Sequence, residues 1–174
     1  TPHSMPKKGH WPLLKNVRRA GRIAKGGAMK LYRTLMFALC ARPELMAKAQ
    51  LGQADALIFD LEDSVPTQAK ELARNNLREA LAQGLKKPAF VRVNHPGAGD
   101  CAADLAALSH KPDPLLAGVI LPKAEQAGDI ERLASWLDHI ELSWGVEQGR
   151  LRILPLIETC LGLRQTRELA RARS

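Results

Sequence analysis

The sequence Ala54-Asp55-Ala56-Leu57-Ile58-Phe59-Asp60-Leu61-Glu62-Asp63-Ser64-Val65 places a short apolar run directly before a cluster of three acids. An apolar run of this length, bounded by polar residues, is typical of a strand buried on both faces. A helical pattern begins after Pro66 and Thr67, so the stretch predicts a βα unit with acids at the carboxyl end of its strand. Two interpretations of the acids stay open locally: a binding site, or a solvated helix start where the helix dipole favours acids.

The same strand–helix pattern recurs along the rest of the chain and predicts a parallel sheet. Continuous apolar runs, rather than alternating ones, are what such a sheet requires. Pro155 lies inside the last run and removes a ladder donor, which calls for either a bulge or a gap in the pairing there. The predicted strands are residues 35–40, 56–59, 89–93, 116–121 and 151–157, and the predicted helices are residues 42–52, 69–84, 100–109, 130–137 and 162–174.

Chemically active side chains follow four of the five predicted strands: Glu62 and Asp63, Arg92, Lys123, and Glu158. The carboxyl ends of parallel strands lie on one side of a sheet, and in a barrel they converge on the axis. A Rossmann-like open sheet would also bind ligands there, but it would need a glycine-rich phosphate loop, and the sequence contains neither GxGxxG nor GxxxxGK[ST]. The predicted fold class is therefore α/β, with the strands arranged as in a TIM-type barrel.

The acids Asp60, Glu62 and Asp63 come without a neighbouring histidine or cysteine, and such an oxygen-only set suits Mg²⁺ or Mn²⁺. Arg92 offers a rigid fork for a carboxylate or for an oxyanion that develops beside the metal.

Each of these residues also has a structural interpretation. Glu62 or Asp63 would cap the following helix or pair with Lys70 or Arg74, and Arg92 would be an ion-pair partner of one of the acids. Lys123 is interpreted as a structural or rim residue. His95 is interpreted as a loop histidine rather than a base.

The net charge of +8 is confined to one end of the chain. Residues 1–33 contain nine bases and no acid, and the rest contains 17 bases and 18 acids. We expect residues 1–30 to be a basic, disordered leader, with a transit-like helix or a nucleic-acid-binding arm as alternatives.

There is no run of 18 apolar residues that would span a membrane. Three cysteines without CxxC spacing favour free thiols in a reducing compartment, so we expect a cytoplasmic protein, or a mitochondrial one if residues 1–28 are a transit segment.

From residue 31 to about residue 172 the sequence resembles the citrate lyase beta-subunit-like proteins, which group with malyl-CoA lyases and HpcH/HpaI-type aldolases. The motifs DLEDSV, VRVN, LPKAE and IET are specific when they occur together in this order. The matching text is Arg33-Thr34-Leu35-Met36-Phe37, Arg42-Pro43-Glu44, Ala54-Asp55 with Asp60-Leu61-Glu62-Asp63-Ser64-Val65, Lys70 with Ala73-Arg74, Val91-Arg92-Val93-Asn94, Leu121-Pro122-Lys123-Ala124-Glu125, and Ile157-Glu158-Thr159 with Gly162-Leu163.

The resemblance implies a Mg²⁺-dependent (or Mn²⁺-dependent) carbon–carbon lyase that cleaves a CoA or acyl-carrier thioester of the citryl-CoA or malyl-CoA type. The products would be an acetyl thioester and a 2-oxo acid. It implies that Glu158 is a metal ligand and contacts substrate, and that Arg92 binds substrate and stabilises an enolate oxygen as a catalytic residue. Glu62 and Asp63 would be catalytic residues that hold metal-bound water or orient the site. Two alternatives remain: a thioesterase that hydrolyses malyl-CoA, and a non-catalytic remnant whose basic arm binds anions.

The resemblance also implies a (βα)8 TIM-type barrel, here truncated to about five βα units, with residues 31–174 as an incomplete lyase domain. A full barrel needs roughly 250 residues. The family's second metal-ligand aspartate would lie beyond Ser174. We expect a homo-oligomer when the protein is full length, no membrane association and no nucleic-acid partner. We expect the 174-residue chain alone to be inactive and prone to aggregation.

Overall fold

The five predicted apolar runs form one parallel sheet in the computed structural model, which describes residues 31–109 and 113–172. The strands lie side by side in chain order, and all four neighbouring pairs are parallel. The strands are β1 (Leu35–Leu39), β2 (Ala56–Asp60), β3 (Ala89–Arg92), β4 (Leu116–Leu121) and β5 (Arg152–Pro155).

Helices connect consecutive strands, as the parallel arrangement requires. Pro43 begins the first helix, where its missing N–H does no harm. Gly84 (φ 85°) ends the second and Gly145 (φ 68°) ends the fourth, both in backbone conformations that favour glycine. The helices are α1 (Pro43–Leu51), α2 (Lys70–Gln83), α3 (Cys101–Leu108), α4 (Ala127–Trp144), α5 (Cys160–Arg164) and α6 (Thr166–Leu169), with a 3-10 turn at Thr67–Ala69 before α2.

The sheet has a helix-covered face and an opposite face. On the covered face, Leu57 and Phe59 of β2 are fully buried in the main core together with Leu77 of α2 and Leu133 of α4. On the opposite face a second, smaller apolar cluster consists of Ile58, Phe90 and Ile120. Every residue of β2 is buried, as expected for a central strand in a parallel sheet.

Pro155 is the last residue of β5, opposite Leu121, so its missing donor falls at the end of the ladder. The N–H of Leu156 donates to the Leu121 carbonyl oxygen at 2.8 Å and continues the pairing. The irregularity of the sheet lies instead between β3 and β4, where the register shifts at Ala89/Phe90.

The final helical stretch, predicted for residues 162–174, is helical only in part and is not one helix. Two short helices, α5 and α6, occupy this region, and residues 173–174 lie outside the described ranges. Gln165 separates the two helices because its backbone (φ −96°, ψ 7°) departs from helical geometry.

The chain falls into two units, Thr1–Leu31 and Tyr32–Ser174, and the sheet belongs to the second. The leader predicted for residues 1–30, and its alternatives, lie outside the described residues. The three cysteines are free; Cys40 and Cys101 are buried and Cys160 is exposed. Within the described ranges, no helix combines the length and apolar character needed to cross a membrane.

Candidate active site

The carboxyl ends of β2 to β5 bring the predicted site residues to one edge of the sheet. Asp60 ends β2 and Arg92 ends β3, and the two are direct neighbours in the register of these strands. Lys123 and Glu158 follow β4 and β5 within three residues of each strand end. The sequence order of the strands is therefore also the spatial order of the charged groups.

Asp60 holds Arg92 in a bidentate ion pair. Nε and Nη2 of Arg92 donate to the two carboxylate oxygens of Asp60, both at 2.7 Å. The Asp60 side chain is 2% exposed and that of Arg92 is 11% exposed, so the pair is shielded from solvent. The guanidinium carbon of Arg92 also lies 4.9 Å from the centroid of the Phe37 ring in β1. This cation–π contact packs against one face of the guanidinium and restricts its position.

The same contacts determine the charge states of the pair. Burial alone would raise the pKa of Asp60, but hydrogen bonds led by that from Arg92 outweigh it and lower the pKa below its usual value. The hydrogen bond to Asp60 raises the pKa of Arg92. Asp60 Oδ1 also accepts from the N–H of Glu62 at 3.0 Å, so the pair fixes the loop that follows β2.

Arg92 was predicted to bind substrate, and the structure shows which part of its guanidinium remains available. Asp60 occupies the Nε–Nη2 edge, and Nη1 lies 3.2 Å from Glu62 Oε2. A guanidinium has five N–H donors, so N–H groups on Nη1 and Nη2 remain for an incoming anion. Arg92 is thus the ion-pair partner of Asp60, and its guanidinium keeps N–H groups that can bind an anion.

Lys123 lies among the predicted acids, although the sequence suggested a structural or rim position. Its Nζ contacts Glu62 Oε1 and lies 3.2 Å from Asp63 Oδ1. Its main-chain N–H donates to Glu158 Oε1 at 2.8 Å. Glu62 is buried, whereas Asp63 and Glu158 are exposed at the mouth of the site. Lys123 therefore contacts all three acids that were predicted to act in the site.

The loops that carry Lys123 and Glu158 pack closely. A Cβ at Gly162, in α5, would lie 2.4 Å from the Ala124 carbonyl oxygen, so glycine is required for this approach. Thr159 caps α5 by accepting a hydrogen bond from the N–H of Gly162 at 3.0 Å. These contacts hold Glu158 against the loop after β4.

A buried polar network, which the sequence analysis missed, supports the Glu62 loop from behind. Lys70 Nζ donates to the carbonyl oxygens of Leu61 (2.7 Å) and Glu62 (2.9 Å) and to Asn94 Oδ1 (2.9 Å). Asp104, which is fully buried, accepts from the N–H of Asn94 at 2.7 Å. The DLEDSV and VRVN motifs contain three of these positions (Leu61, Glu62 and Asn94), but their contacts depend on the packing of α2 and α3 against the strand ends.

The pairings of Glu62 or Asp63 with Lys70 or Arg74 that were considered from sequence do not occur among the described residues. Lys70 binds main-chain carbonyls rather than a carboxylate, and Arg74 pairs with Asp100 and Asp104 rather than with Glu62 or Asp63.

His95 is held on both ring nitrogens, in agreement with its interpretation as a loop histidine. The N–H of Gly97 donates to Nδ1 at 3.0 Å, and Nε2 lies 3.3 Å from Asp129 Oδ2.

The oxygen donors of the site differ in availability. Glu62 Oε2 is buried and forms no aligned hydrogen bond in the described part of the chain, although Arg92 Nη1 is near it. In that part of the chain, no three histidine, cysteine, aspartate or glutamate side chains come together as a metal site. Glu158 is exposed at the mouth and receives a single N–H on Oε1, which makes it the donor best placed to meet a cation.

A family model described as HpcH/HpaI aldolase/citrate lyase matches residues 33–174. The chain belongs to this family. Its predicted family and its α/β fold, with βα units of a TIM-type barrel, are thereby confirmed.

Known members of the family match most of the chain. The citrate lyase subunit beta-like protein of Deinococcus radiodurans is 32% identical over 145 residues, which are 80% of this chain and 47% of that protein. The (3S)-malyl-CoA thioesterase of Cereibacter sphaeroides is 31% identical over 142 residues, which are 80% of this chain and 45% of that protein. The chain spans about half the length of the curated relatives it matches.

A solved structure of a relative has a similar fold. The citrate lyase beta subunit of Mycobacterium tuberculosis, complexed with oxaloacetate and magnesium, superposes with a TM-score of 0.60 at 33% sequence identity. The match covers 79% of this chain and 52% of that protein. The M. tuberculosis protein has also been solved with magnesium, acetoacetate and coenzyme A.

Proposed function

We propose that the protein containing this chain is a Mg²⁺-dependent carbon–carbon lyase that cleaves a CoA or acyl-carrier thioester into an acetyl thioester and a 2-oxo acid. The observation that carries the proposal is the set of charged groups at the ends of β2 to β5, in a chain of the HpcH/HpaI aldolase/citrate lyase family. The M. tuberculosis relative, complexed with oxaloacetate and magnesium, supports both the metal and the substrate class.

The donors of the site fit Mg²⁺. This ion commonly uses one or two carboxylates and completes its coordination with water and substrate oxygens. The exposed carboxylate of Glu158 would hold the ion, and Glu62 and Asp63 would orient the water around it. When bound, Mg²⁺ would supply positive charge that stabilises the enolate developing during carbon–carbon cleavage.

Arg92 would bind the substrate with the N–H groups that Asp60 leaves available. Because Asp60 and Phe37 fix the guanidinium before the substrate arrives, little reorganisation is needed to stabilise a developing oxyanion. Glu62 Oε2 lies 3.2 Å from Nη1 of Arg92 and would help to keep the guanidinium in position.

The net charge of the cluster also supports a divalent cation. Four carboxylates face two cationic groups, which leaves a formal charge of −2 before any ligand binds. These groups are Asp60, Glu62, Asp63 and Glu158, with Arg92 and Lys123.

A thioesterase is the second candidate, because the C. sphaeroides (3S)-malyl-CoA thioesterase is similar to 80% of the chain. The two activities share the substrate and differ in the bond broken. The remaining alternative, a non-catalytic remnant with an anion-binding arm, rests on residues 1–30, outside the described ranges.

The proposed setting is the cytoplasm, in agreement with three free thiols, and the proposed assembly of the full-length protein is a homo-oligomer. A mitochondrial location remains the alternative that residues 1–28 would support.

Incubating the full-length protein with Mg²⁺ and malyl-CoA or citryl-CoA, followed by product analysis, tests the proposal. A lyase yields acetyl-CoA and the matching 2-oxo acid in equal amounts. A thioesterase yields free CoA and the hydroxy acid. Absence of both product pairs, from a folded protein that binds the thioester, would contradict the proposal.

A further inference from the structure

Lys123 connects the acids of the site in two separate ways. Its ammonium group pairs with Glu62 and Asp63, which come from the loop after β2. Its main-chain N–H donates to Glu158, which comes from the loop after β5. Exposed ion pairs contribute little to stability, so a stabilising role alone does not explain why Lys123 contacts acids from both loops.

The backbone of Lys123 is also unusual. Its φ angle is +48°, and it is the only non-glycine residue in the described ranges with a positive φ. This left-handed conformation is unfavourable for a residue with a Cβ and persists where surrounding contacts determine it. Here it lets one residue direct its N–H to Glu158 and its side chain to Glu62.

We propose that Lys123 is a positioning residue that sets the balance of charge between the divalent cation and the anionic substrate in this site. Its ammonium group holds the carboxylates of Glu62 and Asp63 in place. Its positive charge reduces the formal charge of the cluster of four carboxylates and Arg92 from −3 to −2. The cation is bound less tightly as a result, and the anionic 2-oxo acid is bound more tightly. This inference rests on the proposed function, because it assumes that both ligands bind here.

The charge states support this arrangement. The hydrogen bond from Lys123 lowers the pKa of Asp63, and the hydrogen bond to Glu62 raises the pKa of Lys123. The lysine therefore stays cationic at neutral pH. Its side chain is 47% exposed, so it can meet an incoming carboxylate without leaving the acids.

The test measures two affinities separately in the full-length protein. Mg²⁺ is titrated alone by isothermal calorimetry, and oxaloacetate is titrated in the presence of saturating Mg²⁺. In Lys123→Met we expect Mg²⁺ to bind roughly three- to tenfold more tightly, because a nearby positive charge is lost. We expect oxaloacetate to bind at least about tenfold more weakly, because the same charge no longer attracts it.

Two control variants separate this effect from changes in structure or overall charge. Lys123→Arg retains the charge, and we expect both affinities to stay within about threefold of the wild type. Lys86→Met removes an exposed lysine before β3, at the opposite end of the sheet, and we expect both affinities to stay within about twofold. If Lys123→Met fails to fold, Lys123→Gln gives the same two expectations.

The outcomes distinguish this inference from the proposed function. If the folded wild type binds neither Mg²⁺ nor oxaloacetate, the proposed function fails and the inference fails with it. If the wild type binds both, but loss of the Lys123 charge leaves both affinities unchanged or moves them in the same direction, only the inference is overturned. Opposite shifts, with Lys123→Arg near the wild type, support it.

Discussion

Replacing Asp60 by asparagine tests whether the Asp60–Arg92 pair organises the site. Asparagine keeps the size of the side chain but has one acceptor oxygen, so at least one N–H of Arg92 loses its partner. Hydrogen bonds to charged groups contribute about 1.5–3 kcal/mol each, and breaking a buried ion pair costs about 3–5 kcal/mol. With one acceptor kept, we expect a loss of about 3 kcal/mol in the free energy of unfolding.

For a domain of about 150–250 residues that loss lowers the melting temperature by about 6–12 °C, and for a longer protein it lowers it by less. Urea unfolding of the full-length protein, followed by circular dichroism, measures the loss in the free energy of unfolding. Asp55→Asn is the matched control, because the Asp55 carboxylate also accepts two side-chain hydrogen bonds from an arginine, Arg33, but its side chain is 26% exposed and that of Arg33 is 88% exposed. We expect this control to lose less unfolding free energy than Asp60→Asn, because an ion pair with an exposed arginine contributes little.

The difference in unfolding free energy between the wild type and Asp60→Asn should also depend on pH, which provides a second check. The folded-state pKa of Asp60 is lowered, so its ionised form stabilises the fold above the unfolded value of about 3.9. This contribution is lost as the pH falls through the lowered folded-state pKa. The gap between wild type and Asp60→Asn should be constant from about pH 5 to about pH 8 and should narrow below about pH 4. An Asp60→Asn variant as stable as Asp55→Asn, or a gap unchanged at low pH, would refute the reasoning.

Two further predictions concern the sheet. Gly118→Ala should destabilise the protein by about 3 kcal/mol or more, because its Cβ would lie 1.9 Å from the Arg152 carbonyl oxygen and push β5 away; Gly128→Ala, whose Cβ would meet nothing within 4 Å, should be neutral or stabilising in urea unfolding. The 174-residue chain expressed alone should aggregate, because β1 and β5 are edge strands among the described residues; a monomer that melts cooperatively in light scattering and calorimetry would contradict this expectation.

The sheet could be predicted from sequence because its strands are continuous apolar runs, and β2 is buried at every position as such a run requires. The boundaries were less predictable. The bulge or gap predicted at Pro155 does not occur, because this proline ends β5 opposite Leu121 instead of lying inside the strand. The break at Gln165 left no signal in the helical pattern of residues 162–174.

The cluster of charged groups at the strand ends could be predicted from sequence, but the contacts within it could not. Strand ends identified Glu62, Arg92 and Glu158, because parallel strands place their carboxyl ends together. The partner of Arg92 depends on the strand register, which pairs it with Asp60. The position of Lys123 depends on a left-handed backbone that no local pattern indicated.

The roles assigned to Glu158 and Arg92 remain the central claim. Glu158→Gln keeps the oxygen that accepts the Lys123 N–H and removes the charge that would hold Mg²⁺. Glu147→Gln, an exposed position between α4 and β5 at the opposite end of the sheet, is the matched control. Because both positions are exposed, we expect each variant to stay within about 0.5 kcal/mol of the wild type in unfolding free energy.

The most direct measurement is calorimetric titration of oxaloacetate into the full-length protein at saturating Mg²⁺. The wild type and Glu147→Gln should bind alike, and Glu158→Gln should bind at least about tenfold more weakly, because the metal that the substrate meets is no longer held. A folded Glu158→Gln variant that binds oxaloacetate as tightly as the wild type would contradict the account.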